Sequence, residues 1–391
     1  MIDRRTVLCL GISQLISWGI SYYLIGAFGE LIAADLGWSR DRVYGGFALA
    51  LLVMGMTSPL TGSLIDRYGG RKVMVAGSLL NAGGCIGLAF CQSAPVYYAA
   101  WICLGLAMRL TLYDAAFATL ARIGGPQARG PIAQITLLGG LASTTFWPVA
   151  HILTALFEWR GALIVYAGFA LLTVPLHRAI PDDRYGDGVT GERLPEAAPI
   201  AVGRRQRIVA GSLFAILTTL ANFLNAGMSA HMIGILAGLG LTATAAVGIA
   251  SLRGIGQSAA RLWEVLFGQR VHPLTLNLFA ALLLPLAFIA GLFSAGSGLA
   301  AVVFAFVYGA GNGLLTITRG TLPLILFDHR TYGAFVGRLV APGFLVSAAA
   351  PLVYAMVIDR FGEAGGLFLS IFAGAVAFLA AVLLKARFAR A

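Results

Sequence analysis

Gly62-Ser63-Leu64-Ile65-Asp66-Arg67-Tyr68-Gly69-Gly70-Arg71-Lys72 is a short charged turn set between two long apolar runs, 42–64 and 72–92. A helix needs about 20 apolar residues to cross the ~30 Å hydrocarbon layer of a bilayer, so each run is the length of one crossing and the turn reverses the chain. Working outward from it, the same alternation recurs at 6–32, 96–121, 131–156, 160–179, 208–236, 242–268, 273–293, 298–326, 334–357 and 365–386. The pattern predicts twelve spans. Composition agrees: the 391 residues are 59% apolar and only 11% charged, against roughly 25% charged in a soluble domain. A water-soluble enzyme, a disordered chain and a nucleic-acid binder are thereby excluded. The 27 basic residues against 16 acidic ones give a formal charge of +11, yet the basic side chains sit in short clusters between apolar runs, where they act as topology signals. The chain is expected to be an all-α, multi-pass protein of the cytoplasmic (inner) membrane.

The one long polar stretch, Pro181 to Arg207, contains Asp182-Asp183-Arg184, Glu192-Arg193 and Arg204-Arg205 and divides the spans six and six. Three regions follow: a six-helix half over 1–180, a cytoplasmic linker over 181–207 and a second six-helix half over 208–391. With the N-terminus inside, 19 Lys and Arg residues fall on the cytoplasmic side and four, Arg40, Arg42, Arg160 and Arg360, on the other. That imbalance places both termini in the cytoplasm. The N-terminal Met1-Ile2-Asp3-Arg4-Arg5 runs straight into apolar sequence, as an uncleaved first helix would. Cys9, Cys85, Cys91 and Cys103 lie in or beside apolar runs and read as small packed side chains. An offset near 203 residues lays Leu36-Gly37-Trp38-Ser39 on Leu239-Gly240-Leu241-Thr242, Arg67 on Arg270 and Pro148 on Pro351; with one residue of slip, Gly105 falls on Gly309. A common offset over most of the chain implies a duplicated half.

The turn at 62–72 resembles the loop 2–3 signature of the major facilitator superfamily, G-x-L-x-D-R-x-G-x-R-K in form. The resemblance implies the fold of that superfamily, with two pseudo-symmetric six-helix halves and spans 1, 4, 7 and 10 lining the cavity. It also implies that Asp66, Arg67 and Arg71 are gate residues, with Gly70 departing where a basic residue is common. Leu36-Gly37-Trp38-Ser39-Arg40 is similar to a segment of the bacterial oxalate/formate and monocarboxylate-type carriers. In those relatives an arginine of span 8 binds the substrate carboxylate, and Arg253 stands where it is expected. The aspartate that proton-coupled relatives often carry one turn earlier is Ile249 here.

Charges inside spans are the informative ones, because an unpaired charge at the bilayer centre costs at least ~2.5–3.5 kcal/mol. Span 4 holds Arg109, Tyr113 and Asp114; span 8 holds Arg253 and Arg261; span 10 holds Arg319. Arg253, Arg109 and Arg319 are the candidate substrate-binding cations, each weighed against a packing or gate role. Asp114 and Arg319 occupy repeat-related positions of similar depth, which suits an ion pair. Arg261 with Glu264 one turn on reads as part of a gate in the second half. Trp18 and Tyr22 share a face of span 1 with Gln14 and Ser21, and Asn222 and Asn225 share one in span 7 with Ser229; with Tyr113 these are the candidate lining. Thr144, Pro148 and His151 do the same in span 5, His151 more as a structural residue than a proton carrier.

Three arginines against one aspartate leave the cavity positive, which favours an anion, and an arginine can take a carboxylate bidentately. The expected function is therefore secondary transport of a small organic anion, a monocarboxylate or similar acid, by alternating access. If protons are coupled, Asp114 is the carrier that the residues suggest. A drug or amphiphile efflux carrier is the rival, for which the aromatic lining would suffice. No metal-ligand cluster or nucleophile and base pattern argues for an enzyme, a metal or a cofactor, and a monomer is expected.

Overall fold

The computed structural model describes residues 2–185 and 199–389, so Glu192 and Arg193 of the linker lie outside the described residues. Among these residues no strand occurs. The helices are α1 (Arg4–Ser17), α2 (Leu24–Leu36), α3 (Arg40–Tyr68), α4 (Gly70–Ala89), α5 (Ala94–Thr111), α6 (Tyr113–Gly124), α7 (Arg129–Gly140), α8 (Ala142–Arg178), α9 (Arg204–Gly238), α10 (Ala243–Leu266), α11 (Pro273–Leu292), α12 (Gly298–Leu326) and α13 (Tyr332–Phe388). A π-helical turn, Trp18–Tyr22, joins α1 to α2.

Eight described helical runs are long and apolar enough to cross a membrane. Two of them, Ala94–Arg178 with 85 residues and His329–Phe388 with 60, exceed one crossing severalfold. Each contains a kink where the backbone leaves the helical region: Glu158 at φ 57° in α8 and Gly362 at φ 70° in α13. Divided there and at the tight turn Gly125–Ala128, and with α10 added, the described helices are consistent with the twelve crossings that hydropathy delimits. Bulky apolar side chains stay exposed along them, Met56 at 77% and Phe372 at 69% among them, as befits a surface solvated by lipid.

The repeat is visible in the backbone. Gly37 and Gly240, 203 residues apart, both end helices at positive φ, 62° and 99°, a conformation that costs glycine nothing. Two residues on in each case an N-cap hydroxyl opens the next helix: Ser39 accepts from Arg42 N–H and Thr242 from Ala245 N–H. Glu158 and Gly362 repeat the correspondence with one residue of slip.

Two compact units result. The first comprises 1–197 with 328–341, and the second 198–327 with 342–391. In the first, the start of α13 lies against α3: Ser58 Oγ donates to Gly337 O at 2.7 Å, and a Cβ added at Gly62 would fall 1.8 Å from Gly333 O. Only glycine permits that approach. The second unit is built on a core of α9, α11, α12 and α13 side chains that includes Phe288, Phe304, Tyr308 and Tyr354. There α10 and α12 meet through glycine, since a Cβ at Gly309 would lie 2.0 Å from Arg253 O. Thus α10, which is missing from the eight strongly apolar runs, is held to the unit where its arginine sits.

Candidate functional site

In the first unit the chemistry gathers where α5 gives way to α6. Leu112 is extended (φ −78°, ψ −174°), which breaks the helix between Arg109 and Asp114. Residues five apart on an unbroken helix point about 140° apart. The break instead lets Arg109 Nη1 donate to Asp114 Oδ2 at 2.7 Å, with side chains only 3% and 9% exposed. Thr111 O, left at the end of α5, accepts from Gln14 Nε2 of α1 at 2.7 Å. A cavity with about 10 Å³ of water-accessible volume adjoins the pair, lined also by Thr61, Tyr332 and Gly333; that is room for one water.

The π turn of α1 adds an aromatic cluster. Trp18 lies 4.9 Å from both Tyr22 and Tyr113, and Tyr113 stacks on Phe117 at 5.5 Å. π turns are rare and recur at functional sites because they re-aim side chains within a helix.

The turn at 62–72 also acts within the first unit. Asp66 Oδ1 and Oδ2 accept from the backbone N–H groups of Gly333 and Ala334, at 3.0 and 2.8 Å. These are the unsatisfied donors at the start of α13, where the helix dipole favours a carboxylate. Arg122 donates to Asp66 O, while Arg71 donates to Ile180 O at 2.6 Å and stands 3.6 Å from Asp182. Arg67 is exposed and lies over the Tyr68 ring.

In the second unit Arg253 is held by neutral groups. Its Nη2 donates to Asn225 Oδ1 at 2.6 Å and Ser229 Oγ at 3.1 Å, and its guanidinium lies 5.2 Å from the Tyr308 ring centre. No carboxylate is within ion-pair distance of it among the described residues. Asn225 Oδ1 also accepts from Asn312 Nδ2 at 2.9 Å. Arg319 donates to Asn222 Oδ1 at 3.4 Å beside a cavity of about 20 Å³ of water-accessible volume, lined also by Asn312 and Thr316. Arg261 and Glu264 are both buried on α10, and the Glu264 carboxylate covers Gly268.

The structure therefore brings Trp18, Tyr22, Tyr113, Arg109 and Asp114 together in one unit, and Arg253, Asn225, Asn222 and Arg319 into two adjoining polar spots in the other. Asp114 pairs with Arg109, and Arg319 donates to Asn222. Thr144, Pro148 and His151 are exposed along α8. Sequence reasoning missed Asn312, whose signal was an amide inside the glycine-rich run Gly309-Ala310-Gly311-Asn312-Gly313, and Ser58, whose hydroxyl had no distinguishing context. Among the described residues no group of three His, Cys, Asp or Glu side chains forms a metal site.

Comparison with known proteins adds a family. The model of the Major Facilitator Superfamily matches residues 10–339. Human monocarboxylate transporter 11 is 27% identical over 357 residues, 89% of this chain and 69% of that protein. Mouse monocarboxylate transporter 1 is 27% identical over 166 residues, 41% of this chain, so the matched part spans about a third (33%) of that relative. Multidrug resistance protein MdtL of Shewanella oneidensis is 28% identical over 178 residues, 44% of this chain and 43% of that protein. Among solved structures, the human organic anion transporter MFSD10 superposes with a TM-score of 0.71 at 18% identity, covering 97% of this chain and 99% of that one. The proton:xylose symporter XylE does so with 0.74 at 12%, covering 98% and 95%. At these identities the structural likeness concerns the fold.

Proposed function

The chain belongs to the major facilitator superfamily, and we propose that it works as a secondary transporter of a small organic anion, a monocarboxylate or an acid like it, with Arg253 taking the carboxylate. The observation that carries this reading is the state of Arg253: a guanidinium held by an amide, a hydroxyl and a ring, with no acidic partner among the described residues. A cation in such surroundings is stabilised by an incoming anion, and hydrogen bonds to charged partners are about twice as strong as neutral ones. The monocarboxylate transporters among the relatives support the same substrate class. Arg319 with Asn222 supplies a second donor group in the same unit; Trp18, Tyr22 and Tyr113 are the aromatic lining proposed for the first unit. Uptake into vesicles that is competed by short monocarboxylates and lost in Arg253→Ala tests the reading. Competition by lipophilic cations instead would favour drug or amphiphile efflux, a reading that the MdtL likeness and the aromatic cluster of the first unit support.

We propose the following roles with it. The protein is a monomeric, multi-pass carrier of the cytoplasmic membrane, with both termini and the 181–207 linker inside and six-helix halves over 1–180 and 208–391. Asp66, with Arg67 and Arg71 around it, is the cytoplasmic gate: its carboxylate holds the start of α13, and transport requires that hold to be released. Arg261 and Glu264 serve the corresponding end of the second half. Asp114 carries the coupled proton, exchanging its salt bridge to Arg109 for a proton as substrate loads. Asp114→Asn should then bind substrate and support counterflow while losing acceleration by an inward proton gradient; retained proton-driven accumulation would return Asp114 to a structural role.

A further inference from the structure

The Arg253 site contains a second asparagine that substrate-binding arguments do not use. Two donors converge on one atom, Asn225 Oδ1: Arg253 Nη2 at 2.6 Å and Asn312 Nδ2 at 2.9 Å. With an N–H group arriving from each side, only the carbonyl end of the Asn225 amide can face them, since the reversed amide would set N–H against N–H. The amide nitrogen of Asn225 must then point away. It bonds to nothing among the described residues, and it is not among the buried polar atoms left without a partner, so it remains accessible.

We infer that Asn225 and Asn312 form an amide clamp that fixes Arg253 in place while leaving its charge uncompensated, Asn312 being a positioning residue that sets the Asn225 amide so that its N–H₂ is offered to the anion beside the guanidinium. This deepens the anion-binding reading of Arg253 and rests on it. The chemistry depends on the clamp being neutral. A carboxylate at 225 would hold Arg253 equally well, as Asp114 holds Arg109 at 2.7 Å, but it would occupy the charge that the anion needs. One turn before Arg253 the chain carries Ile249, and the acid that α10 does carry, Glu264, lies about three turns further on. The amide clamp supplies the hold without the charge. It makes Asn225 a specificity-determining residue for charge sign, and it makes Asn312, which touches no substrate, necessary for the orientation of Asn225.

The test is a thermal-shift and titration series on the purified full-length protein with sodium salts of two- to four-carbon monocarboxylic acids as probes. Asn225→Asp should lose about tenfold or more in acid affinity while the ligand-free protein melts at a higher temperature, because Arg253 gains an ion-pair partner. A merely structural asparagine would lower both. Asn312→Leu should weaken acid binding several-fold with the melting temperature nearly unchanged, and Asn312→Gln, which keeps the donor, should recover part of the affinity. Wild-type affinity in Asn225→Asp, or in Asn312→Leu should Asn225→Asp fail to fold, overturns the clamp and leaves the anion reading standing. Wild-type protein that binds none of the acids overturns the anion reading itself, and the clamp with it.

Discussion

Arg109 and Arg253 are both arginines set inside helical runs, and the groups that hold them differ by little more than an oxygen for a nitrogen. Arg109 meets the Asp114 carboxylate at 2.7 Å in a nearly closed pocket; Arg253 meets the Asn225 amide at 2.6 Å and has Ser229 and Tyr308 for company. The first pair is neutral as a whole. The second keeps a positive charge available. An arginine inside a helical run is thus evidence of a ligand site only once its partners are known, and here the partners sort one arginine toward structure or coupling and the other toward substrate.

Stability measurements offer the largest way to break this comparison. Arg109→Leu leaves the Asp114 carboxylate buried without its arginine and should cost about 3–5 kcal/mol, whereas the double change with Asp114→Leu should be nearly neutral. Arg253→Leu strands no carboxylate, so its melting temperature should stay near that of the wild type. Equal losses for Arg109→Leu and Arg253→Leu in one thermal-unfolding series would erase the distinction. A smaller effect is expected at the start of α13. Asp66→Ala removes an ionised acceptor shared by two backbone donors, worth about 1.5–3 kcal/mol. It should appear as faster amide exchange at Gly333 and Ala334; unchanged exchange there would mean that the helix start is held by its packing alone. The smallest effect concerns the break at Leu112. Gln14→Leu deletes one neutral hydrogen bond to Thr111 O, about 0.5–1.5 kcal/mol, and should sharpen the comparison by loosening the Arg109–Asp114 pair while acid binding at Arg253 is untouched.

The fold was legible because the membrane imposes a length on every crossing, so apolar runs and the charged turn at 62–72 delimit the spans directly. The repeat was legible for a related reason: Gly37 and Gly240 are needed where the backbone turns to positive φ, and Ser39 and Thr242 where helices begin. The Arg109–Asp114 pair was not, because spacing by five reads as two faces of one helix, and no proline or glycine announces the break at Leu112. Arg253 was found as a charge in a span, yet its neutral surroundings depend on contacts among α9, α10 and α12 that no local pattern encodes. Asn312 lay hidden for the same reason, among glycines that read as a packing seam. Asp66 was identified through its motif, while the groups it holds, 267 and 268 residues further along, came only from the folded chain.

The most direct measurement is calorimetric titration of short monocarboxylates into purified wild-type protein, Arg253→Lys and Arg253→Ala, each shown to melt at a similar temperature. The account predicts binding by the wild type, weaker binding by the lysine variant, which keeps the charge but loses the planar guanidinium, and none detectable in the alanine variant. Binding by Arg253→Ala with wild-type affinity would contradict it.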